Sequence, residues 1–165
     1  MMLCILCLAI FFGNAGCGVY KFNEAVIPDT IKTVKINTVL NNAQYRNPQI
    51  SQKLTDKIRQ KIIGQTRLTQ TNNDNADWEI SAVITQYAFT TSAISGKQVV
   101  TNRLTVGVHV TKNDHKADEV KEYDVSRSFE FNGNQSFAQA EATLMDEMTR
   151  TLTDEIFNQL FSNWK

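Results

Sequence analysis

The chain reads as a two-layer α/β (α+β) sandwich: a four-stranded mixed sheet with two amphipathic helices on one face, in the order β-α-β-β-β-α. Three observations predict it. Four segments alternate apolar and polar residues with a period of two, and two carry apolar residues at helical spacing. The first helix separates the first two strands, a crossover that makes neighbouring strands parallel, while short turns join the last three as an antiparallel meander. Two helices with one apolar stripe each then cover one sheet face, leaving the other polar or facing a partner.

The first strand is Thr33 to Leu40, where Val34, Ile36 and Thr38 alternate with Lys35 and Asn37. Asn41-Asn42 ends it. Asn47-Pro48 supplies an N-cap followed by proline at the first helical position. Ile50, Leu54, Ile58 and Ile62 recur every fourth residue, and Gly64 is expected just beyond the helix end. Trp78 to Phe89 is the second strand. Trp78, Ile80, Ala82 and Ile84 share one face, Tyr87 and Phe89 take the opposite parity, and a bulge near Thr85-Gln86 brings both sets to the same side. The small polar run Thr90 to Lys97 reads as a loop. Val99 to Thr111 is a long strand with Leu104, Val106, Val108 and Val110 facing in, and Asn113-Asp114-His115 turns it. Tyr123, Val125, Phe129 and Phe131 form the fourth strand, with Arg127 on the same face. Ser136 and Gln139 make a capping box. The last helix carries Leu144, Met148, Leu152, Ile156 and Leu160 on one stripe, broadened by Phe157, Phe161 and Trp164, a pattern of core packing rather than of a cofactor site.

The N-terminus has another character. An uncharged apolar stretch from Met1 to Phe12 has the length of a signal-peptide core and is too short to span a bilayer. It leads into Asn14-Ala15-Gly16-Cys17, which resembles the lipobox of a bacterial lipoprotein, although Asn14 replaces the usual Leu and the first charged residue is Lys21. The expected division is a signal peptide over 1–16, an acylated anchor and N-terminal segment over 17–32, and a single α/β domain over 33–165. Two or more acyl chains on Cys17 would hold the chain stably at a membrane. Gly18 after the cysteine favours the outer membrane by resemblance to lipoprotein sorting rules, which places the domain on the periplasmic leaflet. Cys4 and Cys7 form a CxxC, but inside the segment expected to be removed, so Cys17 has no disulfide partner.

About 149 residues remain after processing, enough for one domain with a real core. Net charge is zero but unevenly spread: ten Lys/Arg against six Asp/Glu up to Val100, then seven against eleven. Such a split ordinarily marks two solvated faces; its functional reading is a basic half that meets an anion. Nucleic acid is disfavoured by the zero net charge and the extracytoplasmic setting.

No catalytic set emerges. His109 lies opposite Val108 and Val110 and His115 sits in a turn, neither at metal-ligand spacing. Ser126, His115 and Asp118 make a triad only on paper, without a nucleophile elbow. Glu119 and Glu122 read as a solvated hairpin end. No metal or cofactor is expected. The basic residues are the stronger signal. Lys53, Lys57 and Lys61 line one edge of the first helix at i, i+4, i+8, and Lys97 and Arg103 flank the start of the third strand. Lysines flanking a helix ordinarily serve solubility. Lys97 and Arg103 are better placed, since a loop tip on a rigid sheet is a usual binding position.

The motifs Cys17-Gly18-Val19-Tyr20-Lys21-Phe22, Ile27-Pro28, Lys32-Thr33-Val34-Lys35-Ile36, Asn41-Asn42-Ala43 and Asn47-Pro48 appear in order. Ser51-Gln52-Lys53-Leu54-Thr55, Asn102-Arg103-Leu104-Thr105-Val106, Asp154-Glu155-Ile156-Phe157-Asn158 and Phe161-Ser162-Asn163-Trp164 follow. Together they resemble the lipopolysaccharide-assembly lipoprotein family LptE in its Bacteroidetes-type form, across essentially the whole mature chain. The resemblance implies two helices on a mixed four-stranded sheet and a non-enzymatic role. Such a protein plugs the outer-membrane β-barrel LptD, helps it fold, and helps deliver lipopolysaccharide to the cell surface. It also implies lipopolysaccharide contact through basic residues, for which Lys97, Arg103, Lys53, Lys57 and Lys61 are the candidates. The alternative from another class is an auxiliary lipoprotein of an ABC-type phospholipid transport system.

Overall fold

The computed structural model of the protein describes residues 27–95 and 98–161. Cys17, Lys97 and Trp164 lie outside them. Two helices and six strands occur among the described residues. They are β1 (Thr33–Ile36), β2 (Leu40–Asn41), α1 (Pro48–Gln65), β3 (Thr69–Gln70), β4 (Trp78–Ser95), β5 (Gln98–Asp114), β6 (Glu119–Asn132) and α2 (Phe137–Phe161). The sheet runs β3-β1-β4-β5-β6, with β2 following β1 along the same side of β4. β1 and β4 are parallel neighbours, and β4, β5 and β6 form the antiparallel meander, as the element order predicts.

The expected four-stranded sheet needs correction to six strands, five along its path and β2 beside β4. The predicted strand Thr33 to Leu40 is two strands, because the residues between them bond elsewhere. The Asn37 side chain donates to Glu79 Oε1 at 2.8 Å and Ser81 Oγ at 2.9 Å. The Val39 N–H donates to Thr55 Oγ1 of α1 at 2.9 Å. After α1 the chain returns as β3 on the outer side of β1, pairing Thr33 with Thr69 and Val34 with Gln70. Two-residue strands are too short for any alternation to reveal.

Both predicted helix starts hold. Asn47 Oδ1 accepts from the Gln49 N–H at 2.8 Å, with Pro48 in the first turn. Ser136 and Gln139 bond reciprocally, side chain to backbone N–H, at 3.3 and 3.1 Å. The predicted role of Gly64 does not hold: it lies within α1. The helix ends at Thr66, whose extended backbone leaves the spiral and whose N–H and hydroxyl both donate to the Ile62 carbonyl, at 3.0 and 2.6 Å.

The bulge falls where the parity switch placed it, between Ile84 and Gln86, opposite Gly107. A Cβ on Gly107 would stand 3.1 Å from the Gln86 Cβ, so the crowding at the bulge favours glycine. The expected loop Thr90 to Lys97 is instead mostly strand: β4 continues to Ser95, paired with Gln98. Ladder bonds and β-branched residues override the polar composition there. The Asn113-Asp114-His115 turn shifts one step on. Asp114 closes β5, and its Oδ1 accepts from the Lys116 and Ala117 N–H groups, both at 3.0 Å.

Val34, Ile36, Ile80, Ile84, Leu104, Val106, Val108 and Val125 are buried against the stripes Ile50-Leu54-Ile58-Ile62 and Met148-Leu152-Ile156. This single core sits between the helices and one sheet face. Arg127, the charged residue in the inward parity of β6, stays exposed and pairs with Glu155 of α2.

Candidate binding surfaces

The described basic candidates fall on two separate surfaces. Lys53, Lys57 and Lys61 project along the seam between the helices. Lys57 Nζ lies 2.8 Å from Asp146 and Lys61 Nζ 2.8 Å from Asp154, both on α2. Lys61 also sits 5.1 Å above the Phe157 ring. The Lys57 hydrogen bond, with Lys57, Arg150 and Lys53 nearby, holds the Asp146 carboxyl below its usual range. Lys53 is exposed and has no carboxylate within salt-bridge distance among the described residues. The lysine row thus ties α1 to α2 at two of its three positions.

Arg103 is on the opposite, uncovered face of the sheet. It pairs in register with Thr90 and Glu130, and its Nη2 lies 2.8 Å from Glu130 Oε1. It stands five positions beyond the first residue of β5, about 17 Å at strand rise, and so does not lie at the tip of the β4–β5 hairpin. The open face around it is polar and internally bonded. Thr105 and Ser128 hydroxyls are 2.9 Å apart, and His109 Nδ1 is 2.9 Å from Asp124 Oδ1. Ser126 pairs with Gly107, seven positions from Asp114, so about 23 Å of strand separates it from His115 and the paper triad does not assemble. Among the described residues no group of three or more His, Cys, Asp or Glu side chains could hold a metal ion. Nor is any described helix long and apolar enough to cross a membrane.

Two further features escaped the sequence reading. Where the helices start, Tyr45 stacks on Tyr87 at 5.6 Å and meets Phe89 edge-on at 5.6 Å, and Phe89 stacks on Phe137 at 4.5 Å. Phe137 and Tyr45 remain 53% and 46% exposed, an aromatic cap on that end of the core. Beneath it the buried Glu141 carboxylate accepts the Tyr87 hydroxyl at 2.7 Å and the Tyr45 hydroxyl at 3.4 Å. Burial and the facing carboxylate push the Tyr87 hydroxyl far above its usual pKa, so it stays a donor. A cleft of about 320 Å³ opens there, lined by Tyr45, Arg46, Pro48, Glu141 and Met145 among others. The parity switch at Tyr87 was the only sequence signal for it; Tyr45 lies in a loop and Glu141 reads as a surface acid.

At the other end, Asp77 gathers the start of β1. Its Oδ2 accepts the Lys32 and Thr33 N–H groups at 2.7 and 2.9 Å, and Lys116 Nζ lies 3.2 Å from Oδ1. These bonds, led by the one from Lys32, hold the carboxyl far below its usual pKa despite partial burial. A second cleft of about 450 Å³ lies nearby, lined by Asp29, Ile31, Lys32, Arg67 and Thr69.

A family model described as lipopolysaccharide-assembly, LptE, matches residues 31–160, which take in every described element but for the last residue of α2. The chain belongs to the LptE family. The LptE family is one of non-enzymatic lipopolysaccharide-assembly lipoproteins. Among solved structures, the chain is similar to the hypothetical protein CT253 of Chlamydia trachomatis. The two are 13% identical, with a TM-score of 0.55, over 79% of this chain and 95% of that one. Protein XCC0632 of Xanthomonas campestris is 10% identical, with a TM-score of 0.51, over 79% and 83% of the two chains. The rare lipoprotein B of Shewanella oneidensis is 13% identical, with a TM-score of 0.49, over 76% and 92%. At these identities the likeness is one of fold. No curated protein matches the chain by sequence.

Proposed function

We propose that the chain is an outer-membrane lipoprotein, acylated at Cys17 and held on the periplasmic leaflet. There it partners and plugs the LptD β-barrel and assists delivery of lipopolysaccharide to the cell surface. The observation that carries this reading is the family match over residues 31–160. The lipobox-like Ala15-Gly16-Cys17 boundary supports the anchor. The role is one of binding and assembly, with no reaction assigned. Phosphate groups of lipopolysaccharide would meet either the helix seam, at Lys53, Lys57 and Lys61, or the second predicted set, Arg103 on the open sheet face with Lys97. Of the described candidates Lys53 is the most available, since the others must first release Asp146, Asp154 or Glu130. Exposed pairs of that kind are worth less than about 1 kcal/mol and yield to a better anion.

The deciding experiment is co-purification of the tagged, anchored chain from solubilised outer membranes. LptD is expected with it in stoichiometric amount; recovery of the chain without any large β-barrel would defeat the proposal. Binding of purified lipopolysaccharide by Lys53→Gln/Lys57→Gln/Lys61→Gln and by Lys97→Gln/Arg103→Gln, at two salt concentrations, separates the surfaces. Unchanged binding in both folded variants would leave the role resting on barrel contacts alone.

A further inference from the structure

We infer that the free edge of β4 between Gln86 and Ser95 is a strand-addition site, taken by an extended, uncharged segment of the barrel partner outside its wall. The inference rests on the proposed partnership and adds how the two chains meet.

β4 has β5 on one side along its whole length. On the other side β1 covers Trp78 to Ile80 and β2 covers Val83 and Ile84. Beyond Ile84 no strand among the described residues pairs with that side, so alternate N–H and C=O groups of a long strand point outward without a ladder. The sheet's other edges carry the usual protections, and β2, paired only with β4, is two residues long. β3 is two residues long. β6 is long but carries Glu119, Lys121, Glu122, Asp124, Arg127 and Glu130. The free stretch of β4 reads Gln-Tyr-Ala-Phe-Thr-Thr-Ser-Ala-Ile-Ser, without a charge or a proline. An edge that is long, β-prone and unguarded invites another strand.

The geometry limits the occupant. Register shifts at Ile84/Gln86 and Thr91/Ala93 bracket a regular stretch, Gln86 to Thr91, which fits a strand of about six residues. On the helix side the half-exposed Tyr45 ring lies against Tyr87 and Phe89, ready to meet apolar side chains at alternate positions of the incoming strand. The stretch Gln86 to Ser95 itself supplies no counter-charge to a charged occupant. The wall of a closed barrel offers no free strand, so the segment must come from a loop or terminal extension of the partner.

Hydrogen–deuterium exchange of the full chain, alone and in its purified complex with the barrel, tests this. Alternate amides from Gln86 to Thr91 are expected to exchange at least tenfold more slowly in the complex. Gln86→Lys with Thr90→Lys, both at exposed positions, is expected to weaken the complex at least tenfold with an unchanged circular dichroism spectrum. Val120→Lys, on the guarded β6 edge, should bind like the parent. A complex that forms with edge amides exchanging as fast as in the free chain overturns the inference and leaves the partnership standing. Slowing that instead accompanies a dimer of the isolated chain overturns it in favour of a second copy. Failure of the parent to bind the barrel at all removes the partnership and the inference together.

Discussion

Asp77 shows how one side chain can fix a junction between distant segments. Its carboxylate accepts two backbone N–H groups at the start of β1, while its own N–H donates to Thr33 Oγ1 at 2.9 Å. Asp77→Ala leaves those donors without the acceptor and should cost about 2 kcal/mol at neutral pH. The native carboxyl titrates far below its unfolded value, so this contribution is fully present above about pH 4 and is lost as pH falls toward the native pKa. Urea titrations of parent and variant at pH 7 and pH 2.5 check it: the gap should narrow at the lower pH, and a gap independent of pH would refute the electrostatic account. Asp77 was silent in the sequence because its partners are 44 and 45 residues away. Asn47 and Ser136 were legible because a cap bonds two or three residues along the chain. Glu141 belongs with Asp77, its burial decided by Tyr87, 54 residues off.

Between elements, the helix seam combines an apolar stripe with the Lys57–Asp146 and Lys61–Asp154 pairs. Lys57→Gln/Lys61→Gln should lose no more than about 1 kcal/mol, as exposed pairs do. Lys57→Glu/Lys61→Glu should lose about 1–2 kcal/mol more, because it sets carboxylates against Asp146 and Asp154. Urea midpoints in low salt measure the difference, which should shrink in 1 M salt; equal midpoints for the two variants would show that the pairs carry no energy. At this scale the sequence was legible wherever alternation or helical spacing ran for several residues: both helices, β5, β6 and the bulge of β4. It was silent for β2 and β3, which exist through pairing with strands already in place. The extension of β4 to Ser95 was hidden by serines and threonines that suit a turn as well as a ladder. The lysine row was visible as spacing, but its partners on α2 were not.

For the whole molecule, the first described residues are clamped at one end of the sheet. Arg67 donates to the Ile27 carbonyl, and Lys116 Nζ donates to the Thr30 carbonyl at 2.9 Å, beside the β5–β6 turn. Cys17→Ala should abolish fatty-acid labelling and either release the chain from membranes or leave its precursor there; undiminished label in the variant would rule out that anchor. The ten residue steps from Cys17 to Ile27 reach at most about 35 Å. β4 starts at that same clamped end and runs 18 residues to Ser95, roughly 60 Å at strand rise. In the proposed anchored state that end is therefore the foot of the body and the β4–β5 hairpin end its far tip. A tilt of about 10° about that foot would carry the hairpin end through roughly 10 Å, more than two strand spacings. A partner that grips the upper part of β4 would set the angle at which the anchored protein stands on its proposed leaflet.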